Sequence, residues 1–231
     1  MRSTTAKLVA FGTAILTFAS SFGQEPAKDK PVKTDSPAPR AADSDAPLAE
    51  GWPGATRPGR IEVKTYPVYR SAVARAKGAG AKADGALFWP LFNHISRKGV
   101  EMTTPVVSTY TTEMIENPSA PGEMSMEFVY RTSTMGETGN GVGAVKVEDH
   151  PAATYVCLGI QGRMTVKLMR DGVAKVETWL GEHKSEWVQD GQSRRLGYHG
   201  PMTPVSERLW EVQIPVKRVG TNAVAPTKPV K

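Results

Sequence analysis

The residues of this chain best suited to binding chemistry lie between positions 84 and 107, DGALFWPLFNHISRKGVEMTTPVV. Five apolar residues recur there at helical spacing and would share one face of a helix: Leu87, Phe88, Leu91, Phe92 and Ile95. Arg97 and Lys98 follow at the C-terminal end of that helix, where their charges could meet carboxylates. The pattern predicts one wall of a groove for a flat, apolar, acid-bearing ligand. A purely structural role stays open, because such a face also packs helices on sheets and the helix dipole alone favours terminal cations.

Signatures of catalysis are scarce in the sequence. It has no Gly-x-Ser-x-Gly, His-Glu-x-x-His or Cys-x-x-Cys motif and no histidine pair at metal-binding spacing. A carboxylate such as Glu101 could act as a general acid or base only if it were buried in the groove. The single cysteine, Cys157, can form no internal disulfide, and we expect a buried, unreactive thiol because no basic neighbour would activate it. The sequence therefore predicts a binding protein rather than an enzyme.

The charge pattern bears on the choice of partner. The net charge of +6 is spread along the chain rather than clustered, and no RNA- or DNA-binding motif is present. We therefore expect no nucleic-acid partner. The predicted partner is a small molecule, and the protein is predicted to be a monomer.

The composition divides the chain into four segments. Residues 1–23 have a positively charged start and an apolar core, which predicts a signal peptide and export to the periplasm or the medium. That core is shorter than the roughly 20 residues of a membrane span, so we expect no stable membrane anchor after cleavage. Residues 24–58 are rich in Pro and Ala and predict a disordered tether. Residues 59–219 form the predicted domain, and 220–231 a flexible tail.

The domain contains an internal repeat. Two stretches recur at the same separation: IEVKTYP at 61–67 as VKVEDHP at 145–151, and MEFVYR at 126–131 as WEVQIP at 210–215. A second amphipathic helix is predicted at 165–181. The fold expected from this pattern is α+β, with duplicated strand-helix-strand-strand halves forming a pseudo-twofold, barrel-like curved sheet and two helices outside. Glu127 and Glu211 fall at equivalent positions, which indicates a structural role in both halves.

One family resemblance covers residues 59–218. The run Phe88-x-x-Leu91-Phe92-x-His94-Ile95, followed by Met102-Thr103-Thr104-Pro105-Val106, resembles the signature of the SOUL heme-binding protein family. YHGPMTP at 198–204 supports the resemblance, whereas His94 stands where the family usually has tyrosine. The resemblance implies a duplicated, barrel-like fold that binds heme or a related tetrapyrrole in an apolar groove by the first helix and the 198–204 loop.

The resemblance also implies a set of contact residues on those elements. They are Phe88, Leu91, Phe92, His94, Arg97, Lys98, Met102, His199 and Met202. His94 or His199 could supply an axial ligand to the iron, and binding without any protein axial ligand is equally open.

Three functional hypotheses follow from these expectations. The first is an exported heme- or tetrapyrrole-binding protein for sequestration, buffering or transfer. The second is a general small-molecule effector-binding module of the same fold. The third is a hydrolytic or tetrapyrrole-modifying enzyme that uses a groove carboxylate such as Glu101.

Overall fold

The computed structural model describes residues 45–77, 84–117, 120 and 122–220. The predicted signal peptide, residues 24–44 of the predicted tether and residues 221–231 of the predicted tail lie outside this part of the chain. Within the described residues, no helix has the length and apolar character to cross a membrane.

The described chain forms ten strands and three α-helices, with a short 3-10 helix at Val205–Glu207. In chain order the elements are β1 (Ile61–Tyr66), β2 (Tyr69–Lys77), α1 (Asp84–Lys98), β3 (Val106–Tyr110), α2 (Thr112–Glu116), β4 (Glu123–Val129), β5 (Gly139–Asn140), β6 (Lys146–His150), β7 (Ala153–Gln161), α3 (Val166–Glu182), β8 (Trp187–Gln189), β9 (Arg194–Gly197) and β10 (Leu209–Arg218).

The strands form one antiparallel sheet in the order β1-β7-β10-β9-β3-β4-β2-β6-β5, with β8 paired to β10. The fold is therefore α+β, as expected from the sequence. Without β5, the strand order is symmetric about the central pair β9 and β3. Moving outward from this pair, β10 corresponds to β4, β7 to β2 and β1 to β6. The two central strands, β3 and β9, pair with each other through Val106–Gly197 and Val107–Leu196.

The helices lie on one face of the sheet. In α1, Leu87, Leu91 and Ile95 are buried in the main hydrophobic cluster with residues of β2 and β4. The helix contains Pro90, which is exposed. The predicted second helix at 165–181 is α3, which begins after Thr165, whose side-chain oxygen accepts a hydrogen bond from the backbone N–H of Leu168 at 3.1 Å. The short helix α2 was not predicted.

The opposite face of the sheet is partly covered by residues 45–58, which we call the strap. Its Trp52 is 6% exposed and makes edge-on contacts with Tyr66 and Tyr69, with ring centroids 4.9 and 5.0 Å apart. The strap crosses β7 so closely that a Cβ at Gly159 would collide with carbonyl oxygens of the strap backbone.

The strap lies within residues 24–58, the segment whose composition predicts a disordered tether. The start of the strap is held by Asp45, whose carboxylate accepts hydrogen bonds from Gly200 N and from Thr203 Oγ1, the latter at 2.7 Å. Composition suggested disorder because this segment has few branched apolar residues. One tryptophan in an aromatic cluster, together with backbone contacts to the sheet, is enough to order it.

Replacing Trp52 by alanine tests whether the strap contributes to stability. We expect Trp52→Ala to lower the free energy of unfolding by about 3–5 kcal/mol, because it empties a buried aromatic site. Trp89→Ala is the matched control. Trp89 is 67% exposed, so its removal should change stability by less than about 0.5 kcal/mol. Urea denaturation measures both, and equal midpoints for the two variants would show that the strap adds nothing.

Candidate functional site

A cleft of about 720 Å³ opens on the strap face, beside the strap. Strand alternation directs four large side chains to this face at the cleft: Tyr69 of β2, Glu127 of β4, Tyr155 of β7 and Arg194 of β9. His150, at the end of β6, also lines the cleft. We call this space the strap-face cleft.

Arg194 is a buried cation that lines this cleft. It is only 4% exposed, and its guanidinium lies over the Tyr155 ring, 3.5 Å from the ring centroid. Its Nε donates to Gln213 Oε1 at 2.8 Å, and its Nη1 donates to Tyr69 Oη at 3.5 Å. Among the described residues, its third nitrogen, Nη2, has no hydrogen-bond partner although it is buried.

Glu127 lines the same cleft and is held by neighbours from β2. The hydroxyls of Tyr69 and Ser71 donate to its Oε2 at 3.3 and 3.0 Å. His150 stacks on Tyr69 with ring centroids 4.4 Å apart, and its Nε2 lies 2.8 Å from Ser71 Oγ and 3.5 Å from Glu127 Oε2. Burial, and then the charge of Glu127, raise the pKa of Tyr69, so its hydroxyl stays a donor.

Glu211, which the predicted repeat aligns with Glu127, lies under the strap. It is fully buried, and Lys64 Nζ lies 2.7 Å from its Oε1. Tyr66 donates to Oε2 at 3.3 Å, and the backbone N–H of Thr56 in the strap also donates to this carboxylate. The two glutamates that the sequence aligns therefore have different surroundings. Glu211 is covered by the strap and paired with Lys64, whereas Glu127 borders the cleft.

The apolar residues predicted on α1 lie away from this cleft. Leu91 is fully buried in the core. Phe88 is half-buried against Phe128, with ring centroids 5.1 Å apart, and it stacks on Phe92, which is 43% exposed. No residue of α1 lines the strap-face cleft or the smaller, 250 Å³ pocket between α2 and α3.

The two predicted cations at the end of α1 are exposed. Arg97 donates to Asn93 Oδ1 at 3.1 Å, one turn earlier in the same helix. Neither Arg97 nor Lys98 lines the strap-face cleft. This position suits solvated cations at the negative end of a helix dipole.

His94 joins α1 to the segment between β4 and β6. It is 1% exposed, its Nδ1 accepts a hydrogen bond from Val142 N at 3.0 Å, and its Nε2 lies 2.8 Å from Tyr130 Oη. Because Nδ1 accepts, the ring proton lies on Nε2 and is donated to Tyr130. The Gly141 backbone packs so closely on this ring that a Cβ there would lie 2.9 Å from it. Iron ligation by His94 would have to break one of these bonds, and that role stays a prediction.

The remaining predicted contact residues lie on separate elements. His199 Nδ1 accepts a hydrogen bond from Leu209 N at 3.0 Å. Met102 is half-buried against the core, and Met202 is 92% exposed. None of the nine predicted contact residues lines the strap-face cleft. Their binding roles stay predictions.

The sequence patterns do not single out the residues that line the cleft as ligand contacts. They indicate a structural role for Glu127 and assign no role to His150 or Arg194. One signal was available for Arg194: it alternates in phase with Leu196 and Tyr198, and both of these are buried. A charged residue on the buried phase of a strand indicates a special environment. Cys157 agrees with expectation, since it is buried and burial raises the pKa of its thiol.

The fold and the cleft together describe a single-sheet α+β domain with a ligand-sized opening. The model of the family described as SOUL heme-binding protein matches residues 54–215. The chain therefore belongs to the SOUL heme-binding protein family.

Solved structures share the fold at low sequence identity. The crystal structure of the EcmrR C-terminal domain superposes with a TM-score of 0.56 at 16% identity, covering 69% of this chain and 98% of that one. EcmrR in a DNA complex gives the same score and identity over 58% of its chain. An uncharacterized conserved protein from Listeria innocua gives a TM-score of 0.50 at 12% identity, over 69% of this chain and 93% of that one. At these identities the likeness shows the fold alone. No match was found among curated protein sequences.

The buried His94 predicts a specific loss of stability in acid. Burial, and then the charge of Lys98, lower the pKa of His94 below its usual 6.5. The unfolded chain therefore binds this proton more readily, and the stability contributed by neutral His94 is present above about pH 6.5 and lost as the pH falls. We expect His94→Asn, whose side-chain oxygen can still accept from Val142, to flatten this dependence. Urea denaturation between pH 5 and 8 measures it. Parallel curves for the two proteins would contradict this assignment.

Proposed function

We propose that this protein binds heme or a related tetrapyrrole in the strap-face cleft, as an exported carrier for sequestration, buffering or transfer. Membership of a heme-binding family supports the ligand class. The observation that carries the location is the cleft itself, whose volume of about 720 Å³ lies within the usual range for small-molecule sites.

The residues present in the cleft suit an acid-bearing planar ring. Tyr69 and Tyr155 supply aromatic surface, and Arg194 supplies a positive charge for a propionate. Lys217 lines the cleft closer to solvent, where its ammonium pairs with Asp190 at 2.9 Å. When bound, heme would bring its own iron chemistry to the site. Neither His94 nor His199 lines the cleft, so we expect the ring and its acid groups, rather than iron ligation by these histidines, to provide the affinity.

A non-catalytic role is part of the proposal. Glu101, the carboxylate considered for acid–base chemistry, is exposed and does not line the cleft. The proposal also includes export, which rests on the composition of residues 1–23, and descent of the two halves from one duplicated unit. The symmetric strand order from β1 to β6 supports the duplication.

A second candidate function is a general module for flat organic molecules, including cations. The observation that favours it is the carboxylate of Glu127 in the cleft, which would attract a positive charge. Equal binding of assorted aromatic cations, with no preference for heme, would support this candidate over the first.

A hemin titration with two variants tests the proposed function and its location. Thr109 lines the cleft, so Thr109→Trp fills part of it and should weaken binding by about tenfold or more, corresponding to about 1.4 kcal/mol. Phe92→Ala removes an exposed ring of α1 outside the cleft and should leave the affinity within about twofold of wild type. Quenching of tryptophan fluorescence and the shift of the Soret band measure binding.

Each result of the titration has a clear meaning. Absence of saturable binding by the wild-type protein at micromolar concentration would refute the proposed function. Loss of binding in Phe92→Ala with wild-type affinity in Thr109→Trp would place the site on α1, as the sequence alone predicts. Circular dichroism of both variants controls for folding.

A further inference from the structure

The bottom of the strap-face cleft contains an arginine whose donors are not all used. Arg194 is buried to 96% of its surface, since only 4% remains exposed, and among the described residues its Nη2 lacks a hydrogen-bond partner. Burying a polar donor without an acceptor costs free energy, commonly about 1–3 kcal/mol. Because Arg194 lines the cleft, a ligand acceptor that reached this nitrogen would recover that cost.

The geometry of Arg194 is fixed before any ligand arrives. Its guanidinium is held by Gln213 through Nε and stacks on Tyr155, with Tyr66 also near it at 5.1 Å from the ring centroid. A guanidinium keeps its charge at all physiological pH values and offers planar, paired donors that match a carboxylate. Fixing the fork by stacking means that little side-chain entropy remains to be lost on binding.

We propose that Arg194 forms a carboxylate-binding subsite at the bottom of the cleft, so that an aromatic acid enters with its acid end first. This inference rests on the proposed function in that it uses the same cleft, and it specifies which chemical group of the ligand is recognised. It also moves the acid-recognition site from the predicted cations Arg97 and Lys98 to a buried residue on the other face of the sheet.

The negative charge of Glu127 opposes the binding of a carboxylate at this subsite. Tyr69 links the two charged residues, since its hydroxyl accepts from Arg194 Nη1 at 3.5 Å and donates to Glu127 Oε2 at 3.3 Å. An incoming carboxylate is therefore attracted by Arg194 and repelled by Glu127.

The first experiment compares mesoporphyrin IX with its dimethyl ester, which has the same ring and no free acid. Fluorescence titration of the full chain should show the free acid binding at least tenfold more tightly than the ester. Equal affinities would overturn the carboxylate subsite while leaving the proposed tetrapyrrole function in place.

Two substitutions with opposite expected effects test the residues. Arg194→Met should weaken binding of mesoporphyrin IX by tenfold or more and remove the preference over the ester. Glu127→Gln removes the repelling charge and should strengthen binding of the acid by about threefold or more. Lys98→Gln, which removes an exposed cation outside the cleft, should change neither. If Arg194→Met does not fold, the Glu127→Gln result still decides, because unchanged or weaker acid binding in that variant contradicts the proposal.

A smaller probe separates the failure of this inference from that of the proposed function. 2-Naphthoate and 2-naphthamide share the same ring, which carries a charged carboxylate in the first and a neutral amide in the second, and calorimetry measures their binding directly. Naphthoate binding that depends on Arg194, with no porphyrin binding, would uphold the subsite and refute the tetrapyrrole function. Failure of both porphyrin and naphthoate to bind would refute both.

Discussion

The burial of the Glu211 carboxylate is the constraint on which the strap face depends. A buried carboxylate is tolerated only when it is paired and hydrogen-bonded, and here Lys64 and Tyr66 meet it from β1. The backbone of the strap supplies a further donor at Thr56. Two interactions thus hold the strap on the sheet: the burial of Trp52, and the hydrogen bond from the strap backbone to the Glu211 carboxylate. The strap therefore packs on the sheet although it has few branched apolar residues, because it supplies a hydrogen-bond donor to a buried carboxylate.

The same constraint explains why the strap face is asymmetric. Glu127 is the residue that the predicted repeat aligns with Glu211, but its neighbours are the hydroxyls of Tyr69 and Ser71 and the ring of His150 rather than a lysine. The strap does not cover it, and the strap-face cleft lies there. The buried cation in that cleft is Arg194. Unlike Lys64, it contacts Gln213 and the ring of Tyr155 rather than a carboxylate. One half of the face is closed by the chain itself, and the other is open to a ligand.

The helix α1 shows how far a sequence pattern can be read. Three of the five residues that its apolar spacing places on one face, Leu87, Leu91 and Ile95, are buried, whereas Phe92 is exposed. The same pattern could not show that the sheet has two faces with different partners, and that the ligand-sized cleft lies on the face opposite the helix. The environment of His94 could not be read from the sequence either. A histidine there suggests metal binding, whereas both of its ring nitrogens form hydrogen bonds, with Val142 and with Tyr130.

The sequence by itself determined the family, the α+β class and the two main helices, because these follow from local periodicity and from motifs that are contiguous in the chain. Only the tertiary structure decided that residues 45–58 belong to the domain and that Arg194, Tyr155 and Glu127 meet at one cleft. These contacts join strands far apart in sequence, and strand pairing and register, which local patterns leave open, determine which side chains share a face. The difference between Glu127 and Glu211 has the same origin, since two glutamates that the predicted repeat aligns acquire different surroundings from the segment that crosses one of them.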